Sequence, residues 1–438
     1  MGVAKDRLSD LHDPLLHHIF SFLPFKCVVA TCILSKRWKD LWISSPVLNI
    51  QEWRRHSRYG FIDEYWSETT GLVNFMDRLL DQSHPLFRND LPNMKKFCLD
   101  YDSTYANGKI SGWIHTLMMR KVEEISLCIP IEFVVPMGLF TCETLTVLKI
   151  EMSGDLSAKI KKIGTLRAAE TISFPRLKIL HLKHMIFVDE SLNAQLFSNS
   201  PVLEELMLSN CYMAITKVLH ISVASWKRLC ITNSKMYSCK LKIYAPNLQS
   251  LTYNGMTEGY ANKEHVFSSI VDAHIDITYE SRTNKNSKRR CGLKDLVEGI
   301  SNVKILHISG SSLQSFFWGE TNQMMLIFHN LRRLDVSSKL SHCMFYALLN
   351  LLLKVPNLES VTIAQGFSPS ENYRGLDTCG RPRRQECLLQ HLKAVEVREI
   401  NGKQEDLDMI KYFLRNSPAL QIMTIASLQA YHNTCRTA

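Results

Sequence analysis

One pattern, Leu-x-x-Leu-x-Leu with Ile, Val, Met or Phe substituting, returns about eleven times, and it limits the fold more than any other feature of the chain. It stands at Met94/Phe97/Leu99, Leu145/Leu148/Ile150, Leu177/Leu180/Leu182, Leu203/Leu206/Leu208 and Trp226/Leu229/Ile231. It continues at Leu248/Leu251/Tyr253, Val303/Leu306/Ile308, Leu331/Leu334/Val336, Leu358/Val361/Ile363, Leu392/Val395/Val397 and Leu420/Met423/Ile425. Weaker copies lie at Val122/Ile125/Leu127 and around Ile275/Ile277. With these counted, neighbouring copies are roughly 22 to 34 residues apart, the period of a stacked-repeat array with some insertions. The last two apolar positions are two residues apart, so on a strand both point the same way. Stacking such strands in parallel makes them one continuous core.

The residues between the core positions then face solvent: Lys149, Glu151, His181, Lys183, Met207, Arg228, Thr252, His307, Arg333, Asp335, Thr362 and Glu396. The exposed strand face is where a solenoid recognises its partner. Lys149, His181, Lys183, Met207, Arg228, His307, Arg333 and Asp335 are accordingly the candidate target-binding residues. Their mixed charge with a basic bias suggests a protein partner rather than a nucleic acid. Segments 189–198 and 342–354 are predicted to be returning helices, and Asn210-Cys211 follows the Leu203 repeat where an Asn/Cys position ends the repeat strand.

Ahead of the array, the apolar residues Leu15, Leu16, Ile19, Phe20 and Leu23 recur at helical spacing. Asp13 is placed to cap this helix, Pro14 suits its first turn and Pro24 marks its end. A second apolar helix is expected from about Lys26 to Leu34. Ser35 would cap a third, carrying Trp38 and Trp42 one turn apart. Three short helices cannot hide Leu8, Leu11, Leu16, Ile19, Leu23, Trp38 and Trp42 among themselves. Some of these must meet the rest of the chain or another protein.

A length of 438 residues, 45% hydrophobic and 21% charged, fits a folded chain of two or three domains or one extended array. Much of the net charge of +10 lies in two polar runs, 285–290 and 381–384, read as solvated loops, with a nuclear-import signal or an acidic-partner contact as the alternative. Thirteen cysteines are scattered singly without any Cys-x-x-Cys, and no secretory signal precedes them. This predicts a reducing compartment, cytoplasmic and/or nuclear. The most apolar stretch, 345–355, is far short of a bilayer span of roughly 20 residues, so no membrane partner is expected. Cys379, Cys387 and His391 match no standard zinc spacing and lack a fourth ligand, and neither metal nor cofactor is predicted. With no phosphate-binding loop, Gly-x-Ser-x-Gly elbow, His-Glu-x-x-His or kinase signature, no catalytic residue is assigned.

The N-terminal segment resembles an F-box of the plant type. The resemblance rests on Leu11, Asp13, Leu15, Leu16, Ile19, Ser21, Phe22, Leu23 and Pro24, followed by Ser35, Lys36, Arg37, Trp38, Leu41 and Trp42. His12 stands where the family's adaptor-contacting proline is usual, and Cys27 where an acidic residue is common. The stretch 386–425 resembles the FBD module that closes many F-box/leucine-rich-repeat proteins, through Cys387-Leu388-Leu389, Leu392-Lys393, Val395, Val397, the Gly402 turn and a helix from about Gln404 to Asn416. Asp406 and Asp408 near that helix's start and Lys411 and Arg415 toward its end suit the helix dipole.

The resemblance implies an α/β chain, in which a short three-helix F-box precedes an irregular leucine-rich-repeat solenoid with parallel strands inside and helices outside. Its domains would be an F-box at 1–50, a helical linker at 51–90, repeats at 91–383 and a closing FBD-like repeat, cap and tail at 384–438. It further implies a non-catalytic adaptor of a Skp-cullin-F-box ubiquitin ligase. Leu8, Leu11, His12, Leu16, Ile19, Leu23, Pro24, Leu34, Trp38 and Trp42 would face the Skp-type adaptor, which links to cullin and RING subunits. The alternatives are a leucine-rich-repeat scaffold with a degenerate F-box, or a hormone-type small-molecule co-receptor with an anion held by Lys183, Arg228 and Arg333.

Overall fold

The computed structural model describes residues 8, 10–23, 25–42, 45–50, 62–80, 94–101, 107–130, 133, 135–153, 172–187, 195–196, 198–213, 218–234, 240–255, 267–277, 296–317, 326–367 and 389–427. Pro24, most of the predicted helix at 189–198, both basic runs, Cys379 and Cys387 lie outside them. The chain divides into two compact units, Met1–Tyr212 and Met213–Ala438.

The first unit opens on helices α1 (Asp13–Phe20), α2 (Phe25–Ala30) and α3 (Trp38–Leu41), with a 3-10 turn at Thr31–Ile33. Asp13 does not cap α1. His12 holds that position, and Asp13 is already helical, accepting from Arg37 Nη2 at 2.6 Å. The same nitrogen donates to the Leu11 carbonyl at 2.6 Å. The Phe20 ring lies 5.6 Å from that of Trp38. Together these contacts draw α3 back onto α1, and Leu16, Phe20, Phe25, Val28, Trp38 and Leu41 are buried between the helices.

Six parallel strands follow in chain order: β1 (Val47–Ile50), β2 (Lys96–Asp100), β3 (Glu124–Pro130), β4 (Val147–Ser153), β5 (Ile179–Lys183) and β6 (Glu205–Ser209). Cross-strand register aligns two buried rows. One runs Leu48, Phe97, Ile125, Leu148, Leu180, Leu206, and the other Ile50, Leu99, Leu127, Ile150, Leu182, Leu208. Each such side chain contributes about 1.5–3 kcal/mol of burial, which is why the apolar spacing dictates the ladder. The array thus starts at Val47, well before the expected boundary at 91, because Leu48 and Ile50 alternate inward like every later pair. Helix α4 (Ile62–Leu80) falls in the predicted linker, and α5 (Asn107–Met119) connects β2 to β3. Phe75 on α4 meets Phe25 at 5.7 Å and stacks on Trp42 at 6.0 Å, anchoring the three-helix unit.

Just past β5 and β6 the backbone turns left-handed at His184 (φ 57°) and Asn210 (φ 50°), residue types that tolerate it. The Asn210 amide donates to His184 Nε2 at 3.1 Å, while His184 Nδ1 lies 3.0 Å from the Met152 carbonyl. Three successive repeats are thereby tied along their strand ends. Cys211 donates to the Leu182 carbonyl at 3.3 Å, and burial pushes its thiol up to about 12. It is a structural cysteine.

Among the described residues the main sheet of the second unit has eight parallel strands: β7 (Arg228–Ser234), β8 (Ser250–Gly255), β9 (Asp272–Ile277), β10 (Ile305–Ile308), β11 (Arg333–Val336), β12 (Ser360–Ile363), β13 (Ala394–Ile400) and β14 (Ile422–Ser427). Helices α6 (Gly310–Phe317), α7 (His342–Leu352) and α8 (Gln404–Asn416) return between them. Near its start the outer layer includes a parallel β-ladder, Val218–Ser222 with Lys240–Tyr244, where helices alone were expected.

Asp406 organises the end of this unit. Fully buried, it accepts the backbone N–H of Phe367 at 2.9 Å, of Asn401 at 3.0 Å and of Lys403 at 3.3 Å. The sequence suggests only a dipole role for it. Its carboxylate instead joins the segment after β12, the end of β13 and the start of α8. Gly366 makes room: a Cβ there would lie 2.7 Å from Asp406 Oδ1, 3.1 Å from Ile400 Cα and 3.3 Å from the Glu399 carbonyl oxygen. Gly366→Ala is expected to destabilise the second unit by about 1–3 kcal/mol, measured by urea unfolding. An unchanged midpoint would show that the carboxylate can move aside.

Candidate functional site

The three N-terminal helices have one apolar face inside and another outside. Leu8, Leu15, Ile19, Phe22, Leu23, Ile33 and Leu34 are exposed, Phe22 at 74% and Ile33 at 83%. Leu15, Ile19 and Leu23 stand four residues apart and form one stripe on and just beyond α1, beside the inward stripe of Leu16 and Phe20. Seven large apolar side chains on so small a unit exceed the scattered singles of an ordinary surface.

Of the residues predicted to face an adaptor, Leu8, His12, Ile19, Leu23 and Leu34 are exposed and Leu11 is half-buried. Leu16 (0% exposed) and Trp38 (4%) are enclosed and cannot reach a partner. Trp38 packs on Phe20, and that contact turns the Leu16 stripe inward. Trp42 is half-buried between Phe25 and Phe75. Leu15, Phe22 and Ile33 belong to the outward face and were not predicted there. For Leu15 the signal is present in the four-residue spacing with Ile19 and Leu23.

In the first unit Lys149, His181 and Met207 are cross-strand neighbours on β4, β5 and β6, facing away from the core. His181 Nε2 lies 2.7 Å from Glu205 Oε1, and Lys183 donates to Glu151 Oε1 at 2.6 Å. In the second unit His307 pairs across to Asp335, Nδ1 to Oδ2 3.0 Å, and Arg333 Nε donates to the same Oδ2 at 2.9 Å. Arg228 lies on the outward side of β7 beside Ser250. Lys183 and Arg333, two of the three cations an anion site would need, are thus each matched by a carboxylate. That weighs against the co-receptor alternative.

The strand face also holds His274, hidden in the weak repeat around Ile275/Ile277. Its ring stacks on His307, with centroids 5.7 Å apart and planes at 20°. Burial, and then the neighbouring His307, hold His274 below its ordinary value of 6.5, with Asp276 opposing. The folded state therefore favours neutral His274. Its contribution to stability is complete above pH 6.5 and is lost as pH falls through the depressed folded value. The melting temperature should fall more between pH 7 and 5 in the wild type than in His274→Gln, by scanning calorimetry. Equal falls would show that His274 does not set this pH dependence.

Three family models match the chain in succession. One described as F-box domain matches residues 8–49, one described as the LRR repeats of FBD-associated F-box protein At5g56370 matches 110–274, and one described as FBD matches 385–425. The chain carries an F-box, leucine-rich repeats and an FBD module. Similar Arabidopsis thaliana proteins carry these terms in their names. F-box/FBD/LRR-repeat protein At2g26030 is 28% identical over 95% of this chain and 91% of its own length. F-box/LRR-repeat protein At3g59200 is 27% identical over 99% and 83%, and F-box/FBD/LRR-repeat protein At1g51370 is 27% identical over 95% and 88%. The exposed apolar face therefore belongs to the F-box, the parallel strands to the leucine-rich repeats, and the Asp406 carboxylate lies within the FBD match.

Proposed function

We propose that this chain is the substrate-recognition adaptor of a Skp-cullin-F-box ubiquitin ligase. The observation that carries the reading is the outward apolar face of the F-box, in a unit whose opposite face is fully packed. A Skp-type adaptor would cover that face and connect the chain to cullin and RING subunits. The exposed strand face of the repeats would hold a target protein, with Lys149, His181 and Met207 in one unit and His307, Arg333 and Asp335 in the other as contacts. The chain itself would supply proximity rather than chemistry, raising the effective concentration of a target lysine near the activated ubiquitin.

Affinity capture with the proteasome blocked, followed by reconstitution with the captured proteins, tests the whole reading. The adaptor and cullin should co-purify, and a captured protein should be ubiquitylated only when this chain is present. A complex that holds adaptor and cullin yet modifies no captured protein would overturn the ligase role in favour of a scaffold.

A further inference from the structure

The residue just before each strand is fixed by the backbone ladder, so these residues form one row where the strands begin. In the second unit the Lys304 N–H donates to the Val271 carbonyl at 2.8 Å, Arg332 to Lys304 at 2.9 Å, Glu359 to Arg332 at 2.8 Å and Lys393 to Glu359 at 2.8 Å. Neighbours in the row stand about 4.8 Å apart, the spacing of hydrogen-bonded strands. From β7 to β14 the row holds four exposed cations, Lys227, Lys304, Arg332 and Lys393, and one carboxylate, Glu359. The same row of the first unit is balanced, with Lys95 and Lys178 against Glu123 and Glu204.

Glu359 shows how a carboxylate sits on this row. Its Oε1 accepts from Arg332 Nη1 and its Oε2 from Lys393 Nζ at 3.3 Å. Those two hydrogen bonds hold its carboxyl below the usual carboxylate range. One carboxylate therefore answers two cations. One rung earlier Lys304, beside Arg332, meets no carboxylate among the described residues. The turns entering β11, β12 and β13, residues 328–331, 354–358 and 389–392, contain no acidic residue. Further along the strands, Asp272 accepts from Ser250 at 2.6 Å, and Asp335 is engaged by Arg333 and His307. The positive charge of the row is thus only partly offset from within the unit.

We propose that this edge of the second unit docks an acidic, extended segment of the target protein, one of whose carboxylates sits between Lys304 and Arg332 as Glu359 sits between Arg332 and Lys393. From Lys304 to Lys393 the row covers three strand spacings, about 14 Å, a distance that about four extended residues span. Like charges on neighbouring rungs build up a positive potential, and an acidic partner relieves it. A nucleic acid would find no exposed Phe, Tyr or Trp on these turns for a base to stack on; Phe328 is 1% exposed. That the acidic partner is a ubiquitylation target rests on the ligase role proposed above. Its docking on this edge does not, because neither adaptor nor cullin takes part in it.

Fluorescence anisotropy of the full chain with a labelled peptide of alternating Glu and Ser tests this. The peptide should bind the wild type. Lys304→Gln together with Arg332→Gln should raise the dissociation constant at least about tenfold, a 1.4 kcal/mol change, with an unchanged melting temperature. Lys95→Gln together with Lys178→Gln removes the same charge from the same row of the first unit, and should raise it less than about threefold. A wild type that ignores the peptide would overturn the proposal. So would equal losses in the two double variants, which would mean attraction to the net charge of +10 alone. A peptide held instead by the basic runs at 285–290 and 381–384 would be indifferent to Lys304→Gln with Arg332→Gln, and that too would overturn it. An oligothymidylate of equal charge that binds more tightly than the peptide would make the edge a nucleic-acid surface and overturn it as well.

Discussion

Replacing Leu15, Ile19 and Leu34 together by alanine is expected to weaken capture of a Skp-type adaptor at least about a hundredfold while leaving the melting temperature unchanged. The three side chains are exposed, so the folded chain alone gains little from them. At an interface each would contribute about 1–2 kcal/mol through burial, and about 3 kcal/mol already exceeds a hundredfold. Trp38→Ala should behave differently. Packed on Phe20 and 4% exposed, Trp38 holds the helices together, and its loss should cost about 3–5 kcal/mol of stability. Capture would then fail because the F-box no longer folds. Melting curves run beside the pull-down separate the two causes. A triple variant that melts early, or one that still binds fully, would contradict the assignment of the two faces.

Asp406→Ala should be the most damaging single change in the second unit, at about 3 kcal/mol or more. Three backbone N–H groups lose a buried carboxyl acceptor, and the alanine methyl offers them nothing in its place. Hydrogen bonds to charged groups are worth about 1.5–3 kcal/mol each, and unsatisfied buried donors cost a similar amount. For a unit of this size the melting transition should drop by roughly 6–12 °C. Scanning calorimetry of the full chain reads this directly. A shift below about 2 °C would mean that the carboxylate contributes little beyond the helix-dipole role legible in the sequence.

The strand core is legible because its signal repeats. Two apolar positions two residues apart, returning along the chain, suffice to align Ile125, Leu148, Leu180 and Leu206 in one buried row. Where the signal thins, legibility goes with it. β1 offers only Leu48 and Ile50, with Ser45 at the motif's first position, which is apolar in the clear copies. β9 has Ala273 at a core position, where a small side chain weakens the pattern and hides His274 with it. The outer ladder at Val218–Ser222 and Lys240–Tyr244 falls between repeat motifs, in sequence that the period does not constrain.

The binding face is only half legible. Helical spacing identifies two adjacent apolar stripes on α1, Leu15/Ile19 and Leu16/Phe20, but not which one turns inward. Trp38, eighteen residues after Phe20, decides it through a ring contact that no local pattern encodes. Asp406 is hidden for the same reason. Its partners Phe367 and Asn401 lie outside its helix, so an acidic residue at a helix start looks like ordinary dipole compensation.

Amide hydrogen exchange of the full chain, with and without a Skp-type adaptor, tests most directly whether the outward F-box face is the docking surface. Binding should slow exchange in α1, in α2 and at Ile33–Leu34, around Leu15, Ile19, Phe22 and Leu23, with the repeat strands unchanged. An adaptor that leaves those helices as fast as before, or protects only the strands, would contradict it.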